Sequence, residues 1–574
     1  MNAISPSFGH LPVAVIGAGP VGLAAAAHLL RRGLKVRVYE AAETVAAHVR
    51  DWGHVRLFSP WRYNLDAAAT ALLDQTGWTA PPLADHPTGA ELYAAYLQPL
   101  AAIPAVAAVI ETGAMVSAVS RDGFDKMKSE GRDGAPFVLL VRNRDGAERR
   151  DLARAVIDCS GTWGSPNPIG TDGLPVPGER AAVGRITYGI PDVQAQAGIY
   201  AGRVVLVVGA GHSAANVLLD LVALAERAPE TRIVWSVRGR DLKRLFGGGA
   251  ADGLAARGAL GQAIELAVRA NRLTLKLGTH VTALRPDEDG LRVEMRENGL
   301  RTSLLVDRVI VATGQRPSLD MLGEVRLDLD PAVESPRVLA PLIDPNLHSC
   351  GTVRPHGHRE LGQPDIGLYI AGIKSYGRAP TFLMATGYEQ VRSIVAALAG
   401  DWAAADDVRL DLPQTGVCSL PDAAEAGTTE AGIGAAASCC GPAGGGSVAV
   451  VAPVVSCCGP RVEVPVTAAA CCGPKAEPVA SVVEAAETRV MGTAAVIPGV
   501  VDMGVANTGA GDTVSCCAPS CCGPEPARDA AADMVGDAAP DVAPGATTPE
   551  SCCAPTCCAG SEKTREQVQE PAVA

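Results

Sequence analysis

Val13 to Leu30 reads VAVIGAGPVGLAAAAHLL. The stretch predicts a short buried strand, a glycine turn and the first turns of a helix. Gly17, Gly19 and Gly22 fit G-x-G-x-x-G, with Pro20 inside the motif. The first glycine permits a tight turn, the second lets backbone approach a pyrophosphate, and the third lets helix pack on strand. The helix start then offers free N–H groups and the positive end of its dipole to the phosphates. A second strand from Lys35 to Tyr39 ends on Glu40, whose carboxylate can accept both hydroxyls of an adenosine ribose. Strand, helix, strand and terminal acid in register predict a dinucleotide site. The competing reading is a membrane or signal segment, since the run is apolar throughout. Three glycines in its first half and an N-terminal MNAISPSFGH without Lys or Arg speak against it. A soluble protein is expected.

The chain has 574 residues, 48% of them hydrophobic, and a net charge of −13. From Pro413 onward there are 18 acidic and 6 basic residues, so the body before it is nearly neutral and the tail is acidic. Neither part offers the basic face that nucleic acid requires. Of 17 cysteines, only Cys159 and Cys350 precede residue 413, which suits a reduced, cytoplasmic protein rather than a disulfide scaffold.

Along the body, the run Arg50 to Arg62 mixes aromatics, arginines and turn residues. It reads equally as a wall of a cofactor pocket or as a self-packed loop. Residues 111–150 alternate apolar and polar around Gly/Asp turns, a small antiparallel pattern. Ala155 to Asp158 is a buried strand ending in the turn Ser160-Gly161, with Cys159 as a small buried hydrophobe.

A second signature begins at Arg203, RVVLVVGAGHSAANVLLDL. Gly209, Gly211 and Ala214 fit G-x-G-x-x-A, with Ser213 inside it. The following strand, Thr231 to Val237, ends in Arg238 instead of an acid. A guanidinium there suits the 2′-phosphate of NADP, which a carboxylate would repel. The contrast between Glu40 and Arg238 assigns FAD (or NAD) to the first site and NADPH to the second. A helix near Leu254 to Ala270 follows, then strands at Leu273–Leu277, Leu291–Met295 and Leu304–Val311. The last runs into Ala312-Thr313-Gly314. A further strand into glycine, Gly367 to Gly372, precedes a helix from Thr386.

GAGPVG, Glu40, Ser160-Gly161, GAGHSA, Arg238, Ala312-Thr313-Gly314 and GLYIAG together resemble the two-dinucleotide flavoproteins, most closely the flavin-containing monooxygenase group. The likeness covers residues 12 to about 400. KSYGRAPTFLMATGYEQVRS, Lys374 to Ser393, resembles flavin oxidoreductases encoded beside bacterial arsenic-resistance genes. The resemblance implies an α/β fold with two Rossmann-like domains. The FAD domain is discontinuous (1–195 and 306–412), the NADPH domain is inserted (196–305), and 413–574 forms a tail. It also implies hydride transfer from NADPH to FAD, then reaction with O₂. Gly17, Gly19, Pro20, Gly22, Glu40, Ser160, Gly161 and Gly372 would serve FAD, with Thr313 and Gly314 at the crossing. Gly209, Gly211, Ser213, Ala214 and Arg238 would serve NADPH. Two departures stand out. Tyr188-Gly189 is followed by Ile190-Pro191-Asp192-Val193 without the group's histidine, and Gly372 by Ile373 where relatives have Asp. These place a flavin-dependent oxidoreductase ahead of a monooxygenase.

The body carries no C-x-x-C or C-x₄-C beside a flavin motif, no H-E-x-x-H and no obvious serine triad. The cofactor must carry the chemistry. No catalytic side chain is nominated; Asp192, Lys374, Tyr376 and Arg378 are candidates for the pocket.

From Pro413 the aromatics vanish and Ala, Gly, Pro and Val dominate, so the tail is expected to be disordered. Seven adjacent pairs punctuate it: Cys439-Cys440, Cys457-Cys458, Cys471-Cys472, Cys516-Cys517, Cys521-Cys522, Cys552-Cys553 and Cys557-Cys558. Zinc prefers C-x₂-C. Vicinal thiolates suit a soft three-coordinate ion such as arsenic(III). Zinc or copper(I), and disulfide or compositional drift, are the other readings. Three functions follow: an NADPH-dependent flavoenzyme with O₂ as co-substrate acting on a small molecule such as a trivalent arsenical; the same enzyme on an organic sulfur or nitrogen nucleophile; or a non-enzymatic metal(loid)-sequestering protein.

Overall fold

Strand β1 (Val13–Ile16) is buried at all four positions. That burial requires a sheet covered on both faces, which is the setting of parallel strands. β1 is central to the first sheet, with β2 (Val36–Glu40) on one side and β7 (Ala155–Asp158) on the other. β3 (Ile110–Thr112) and β16 (Leu368–Ile370) complete the order β16-β7-β1-β2-β3, parallel throughout. Between β3 and β7 an antiparallel sheet is inserted: β4 (Ala114–Arg121), β5 (Phe137–Asn143) and β6 (Glu148–Ala153).

The computed structural model describes residues 8–410, apart from 243–245, 247–251, 348–352 and 381. All of them belong to one compact unit.

The second sheet repeats the plan of the first. β9 (Val204–Val208) is flanked by β10 (Arg232–Val237) and β15 (Arg308–Val311), with β11 (Thr274–Leu277) and β8 (Ile186–Tyr188) at the edges. Its order, β11-β10-β9-β15-β8, is again fully parallel. Here too an antiparallel insert, β12 (Thr279–Asp287), β13 (Gly290–Glu297) and β14 (Leu300–Val306), precedes the fourth strand. The fifth place differs. A later strand, β16, fills it in the first sheet, and an earlier one, β8, in the second. This swap is what an inserted domain looks like at sheet level. β8 lies before residue 196 and β15 after residue 305, so the second sheet draws on strands outside 196–305 at both ends. The hydrogen-bond ladders of β15 with β8 and β9 decide this, and they are long-range pairings.

Helix α1 (Pro20–Arg31) starts with proline at N1, where its missing N–H costs nothing. Ala24 to Ala27 are completely buried, so the neighbouring helix α2 (Met384–Leu398) can approach closely. Leu23 and Leu29 are buried in the same cluster, each contributing roughly 1.5–3 kcal/mol. No helix among the described residues is long and apolar enough to cross a membrane.

Candidate functional site

The first glycine turn is closed by sterics. Gly17 has φ +94°, and a Cβ there would stand 2.9 Å from the Cys159 carbonyl oxygen. A Cβ on Gly22 would lie 1.9 Å from the Gly17 carbonyl oxygen. Around Gly19, by contrast, nothing lies within 4 Å. Two glycines are thus required by packing, while the middle one faces open space where a phosphate can reach backbone. A cavity of about 440 Å³ begins there, lined by Gly17, Gly19, Pro20, Glu40, Ser160, Gly161 and Gly372. Trp52, Met115, Trp163, Phe382 and Met384 add an apolar wall.

Glu40, at the end of β2, accepts hydrogen bonds from the Ala18 N–H (2.7 Å) and the Ala42 N–H (2.9 Å), one on each carboxylate oxygen. Both oxygens keep acceptor capacity for ribose hydroxyls. This geometry and the open Gly19 fit a dinucleotide with an unphosphorylated adenosine ribose.

Behind the cavity lies a buried ionic cluster that the sequence alone did not reveal. Lys374 Nζ pairs with Asp158 Oδ2 at 2.7 Å and donates to Ser160 Oγ at 3.0 Å. Ser160 Oγ in turn donates to Asp158 Oδ1 at 2.7 Å. Lys374 and Asp158 are buried and absent from the cavity lining, so Lys374 fixes the Ser160-Gly161 turn rather than meeting a substrate. Cys159 is a buried free thiol in the lining of the first cavity, and burial first, then Asp158, pushes its pKa up.

Gly372 (φ +72°) donates its N–H to Gln390 Oε1 at 2.8 Å. Gln390 Nε2 donates to Ser375 Oγ (2.9 Å) and meets His356 Nε2 (3.0 Å). The network assigns Nε2 as acceptor, leaving Nδ1 to donate to the Arg354 carbonyl at 2.9 Å. Burial lowers the His356 pKa, in keeping with a neutral ring. Gln390 and His356 support the Gly372 turn and carry no local sequence signal. At the position of the missing aspartate, Ile373 lines the first cavity.

The second turn obeys the same steric rule. Gly209 has φ +137°, and a Cβ there would lie 2.2 Å from the Ala312 carbonyl oxygen, while Gly211 is open. Ala214 is fully buried in the third-glycine place. A cavity of about 540 Å³ opens beside this turn. Its wall includes Gly209, Ser236, Arg238, Thr313 and Arg378. Arg238 Nη1 donates to the Thr171 carbonyl at 3.1 Å. Ser236 Oγ is buried without a hydrogen-bond partner among the described residues. An orphaned hydroxyl and a guanidinium on one wall fit a phosphorylated ligand. Gly211 and Ser213 do not line this cavity.

Thr313-Gly314 joins the two sites. Thr313 lines the second cavity and Gln315 the first. Asn167 fixes the turn, donating its N–H to the Gly314 carbonyl (2.9 Å) and its Nδ2 to the Thr313 carbonyl (3.1 Å).

The four pocket candidates separate. Asp192 accepts from the Ala195 N–H and lines neither cavity. Tyr376 is buried edge-on to Phe382, 5.1 Å between centroids, one layer behind the first cavity. Lys374 is the ion-pair member, and Arg378 belongs to the second cavity. In the 50–62 run, Trp52 lines the first cavity, but Phe58 packs on His212 at 5.1 Å and Trp61 is buried, so both readings hold in part. No cluster of metal-ligating side chains occurs among the described residues. Cys350 and the seven cysteine pairs (Cys439 to Cys558) lie outside those residues.

Two parallel sheets of this order, each with a glycine cradle, define the fold of the FAD- and NAD(P)-dependent oxidoreductases. Residues 15–79 match the NAD(P)-binding Rossmann-like domain family. No curated protein matches the chain. Among solved structures, the bacillithiol disulfide reductase of Bacillus cereus is 18% identical, with 68% of this chain and 99% of that chain covered and a TM-score of 0.52. The FAD-bound cadaverine monooxygenase of desferrioxamine biosynthesis from Erwinia amylovora is 14% identical, with 72% and 99% covered and a TM-score of 0.49. A thioredoxin reductase from T. acidophilum is 16% identical, with 68% and 98% covered and a TM-score of 0.42. At such identities the first of these likenesses is one of fold.

Proposed function

We propose that this chain is an FAD-dependent, NADPH-oxidising oxidoreductase of monooxygenase type, acting on a trivalent arsenical. The observation that carries the reading is the opposite charge at the ends of β2 and β10, Glu40 on the first cavity and Arg238 on the second. A carboxylate accepts ribose hydroxyls and repels a phosphate, and a guanidinium does the reverse. Glu40, Gly19 and the start of α1 would hold FAD; Gly209, Ser236 and Arg238 would hold NADPH. Bound flavin supplies two-electron transfer from the nicotinamide and activation of O₂. The chain's own part is positioning: Lys374 and Asp158 fix Ser160, Gln390 fixes Gly372, and Trp52, Trp163 and Phe382 give the first cavity an apolar lining. The arsenical class rests on Lys374 to Ser393 and on the seven vicinal cysteine pairs. A thiol tail tethered to the enzyme would raise the local arsenical concentration to roughly millimolar.

A second reading, oxygenation of an organic sulfur or nitrogen nucleophile, is favoured by the aromatic wall of the first cavity. Spectra of the purified protein test both. Flavin absorbance that bleaches with NADPH faster than with NADH is expected, and NADPH consumption under air should rise with methylarsenite or arsenite. A colourless protein that cannot be loaded with flavin overturns the flavoenzyme reading. Flavin reduction that no arsenical stimulates overturns only the arsenical substrate.

A further inference from the structure

We infer that Arg378, from the second FAD-domain segment, is a phosphate ligand for the pyridine dinucleotide and forms a two-guanidinium clamp with Arg238. The inference rests on the second cavity being the NADPH site. Arg378 and Arg238 line that cavity together, although they come from opposite halves of the fold. Both tips flank one short turn. Arg238 Nη1 lies 3.1 Å from the Thr171 carbonyl, and Arg378 Nη2 lies 3.9 Å from where a Cβ on Gly173 would stand.

The arginine is delivered by a fixed backbone. Gly377 has φ +57°, and a Cβ there would meet the Val333 carbonyl oxygen at 2.0 Å. The Arg378 N–H donates to that same carbonyl at 2.7 Å. Its guanidinium, however, is exposed and has no carboxylate partner among the described residues. Nearby Arg316 is different, since it pairs with Glu334. In the same lining, Ser236 is 1% exposed and its Oγ has no hydrogen-bond partner among the described residues, an independent sign of a polar ligand. Among the described lining residues Asp241 is the acid, against Arg238 and Arg378, so their sum is positive. A pre-positioned, unpaired guanidinium is suited to bidentate phosphate recognition.

The consequence is a link between cavities. Arg378 follows the segment in which Gly372 and Ile373 line the first cavity and Lys374 pairs with Asp158. Phosphate binding in one cavity would therefore hold the loop that shapes the other.

The test uses the full-length holoprotein carrying Arg378→Ala, Arg378→Lys or Arg238→Ala, with NADP⁺ and NAD⁺ titrated calorimetrically. Arg378→Ala is expected to weaken NADP⁺ binding at least about tenfold, the scale of one charge-assisted contact. Arg378→Lys should retain more affinity, and flavin content should match the parent in both. A loss confined to NADP⁺ assigns the 2′-phosphate, and a loss shared by NAD⁺ assigns the pyrophosphate; either supports the clamp. Unchanged NADP⁺ affinity in Arg378→Ala, with Arg238→Ala impaired, overturns the clamp and leaves the functional reading intact. A parent protein that binds no NADP⁺ overturns that reading itself.

Discussion

At Gly22 a single hydrogen lets α1 pass over the first turn. Gly22→Ala would push a methyl group into the Gly17 carbonyl, 1.9 Å away and backbone rather than a flexible side chain. Overpacking of this kind costs about 1–3 kcal/mol. The expected outcome is a lowered melting temperature and a flavin-to-protein ratio well below the parent's, whereas Gly19→Ala, with open space around it, should melt like the parent and lose only cofactor affinity. His212, at the start of the second nucleotide helix, carries a pH effect. Burial first, then Arg257, lower its pKa to about 4, with Asp252 opposing. The unfolded chain binds a proton below the ordinary value of 6.5 while the folded ring stays neutral, so stability falls as pH drops from 6.5 toward 4 and levels below that. Denaturant midpoints above and within that window should fall less steeply in His212→Asn; parallel slopes would reject the assignment. The glycines and Glu40 were legible because a strand, a fixed glycine spacing, a helix and an acid after the next strand form a recognisable sequence pattern. Gln390, His356 and the Asp158–Lys374 pair were not, because each acquires its meaning from a distant partner.

Among the elements, a buried arginine fixes the antiparallel insert to the first sheet. Arg132 meets Asp365 with two contacts, Nε to Oδ1 at 3.0 Å and Nη2 to Oδ2 at 2.9 Å. Both residues are almost completely buried. Asp365 also accepts the Arg326 N–H at 2.8 Å. Burial alone would raise the Asp365 pKa, but Arg132 and that N–H outweigh it and lower it. Asp365→Asn leaves a guanidinium buried without its counter-charge, and about 3–5 kcal/mol of stability should be lost. Chemical denaturation checks this, with Asp287→Asn on an exposed strand end as a control that changes little. This lock joins residues 233 apart, and no spacing rule could find it. Strand reading failed where one acid intervenes. Leu304–Val311 looks continuous, yet Asp307 accepts the Val204 N–H at 2.7 Å and separates antiparallel β14 from parallel β15. β12 was missed because Arg285 and Pro286 break its apolar pattern, which an edge strand tolerates.

Taken whole, the chain uses one plan twice, with the fifth strand supplied from opposite directions. That duplication was readable from the two glycine signatures, while the strand that closes each sheet was not. Among the described residues, the linings of both cavities fall between Ile16 and Met384. Truncation after Leu412 is therefore expected to keep flavin content and NADPH affinity within about twofold of the parent. Any role of the cysteine pairs should then appear as a selective loss of arsenite stimulation, measured on the truncated and full-length proteins side by side.

The glycine turns also set an order of events during synthesis. Gly17 is walled by the Cys159 carbonyl and Gly209 by that of Ala312, both far downstream. On the ribosome, the first cradle stays open until residue 159 has emerged, and its sheet lacks the β16 edge until all strands of the second sheet have been made. Nascent chains stalled before residue 368 should thus capture flavin poorly, making cofactor acquisition a late step of biogenesis.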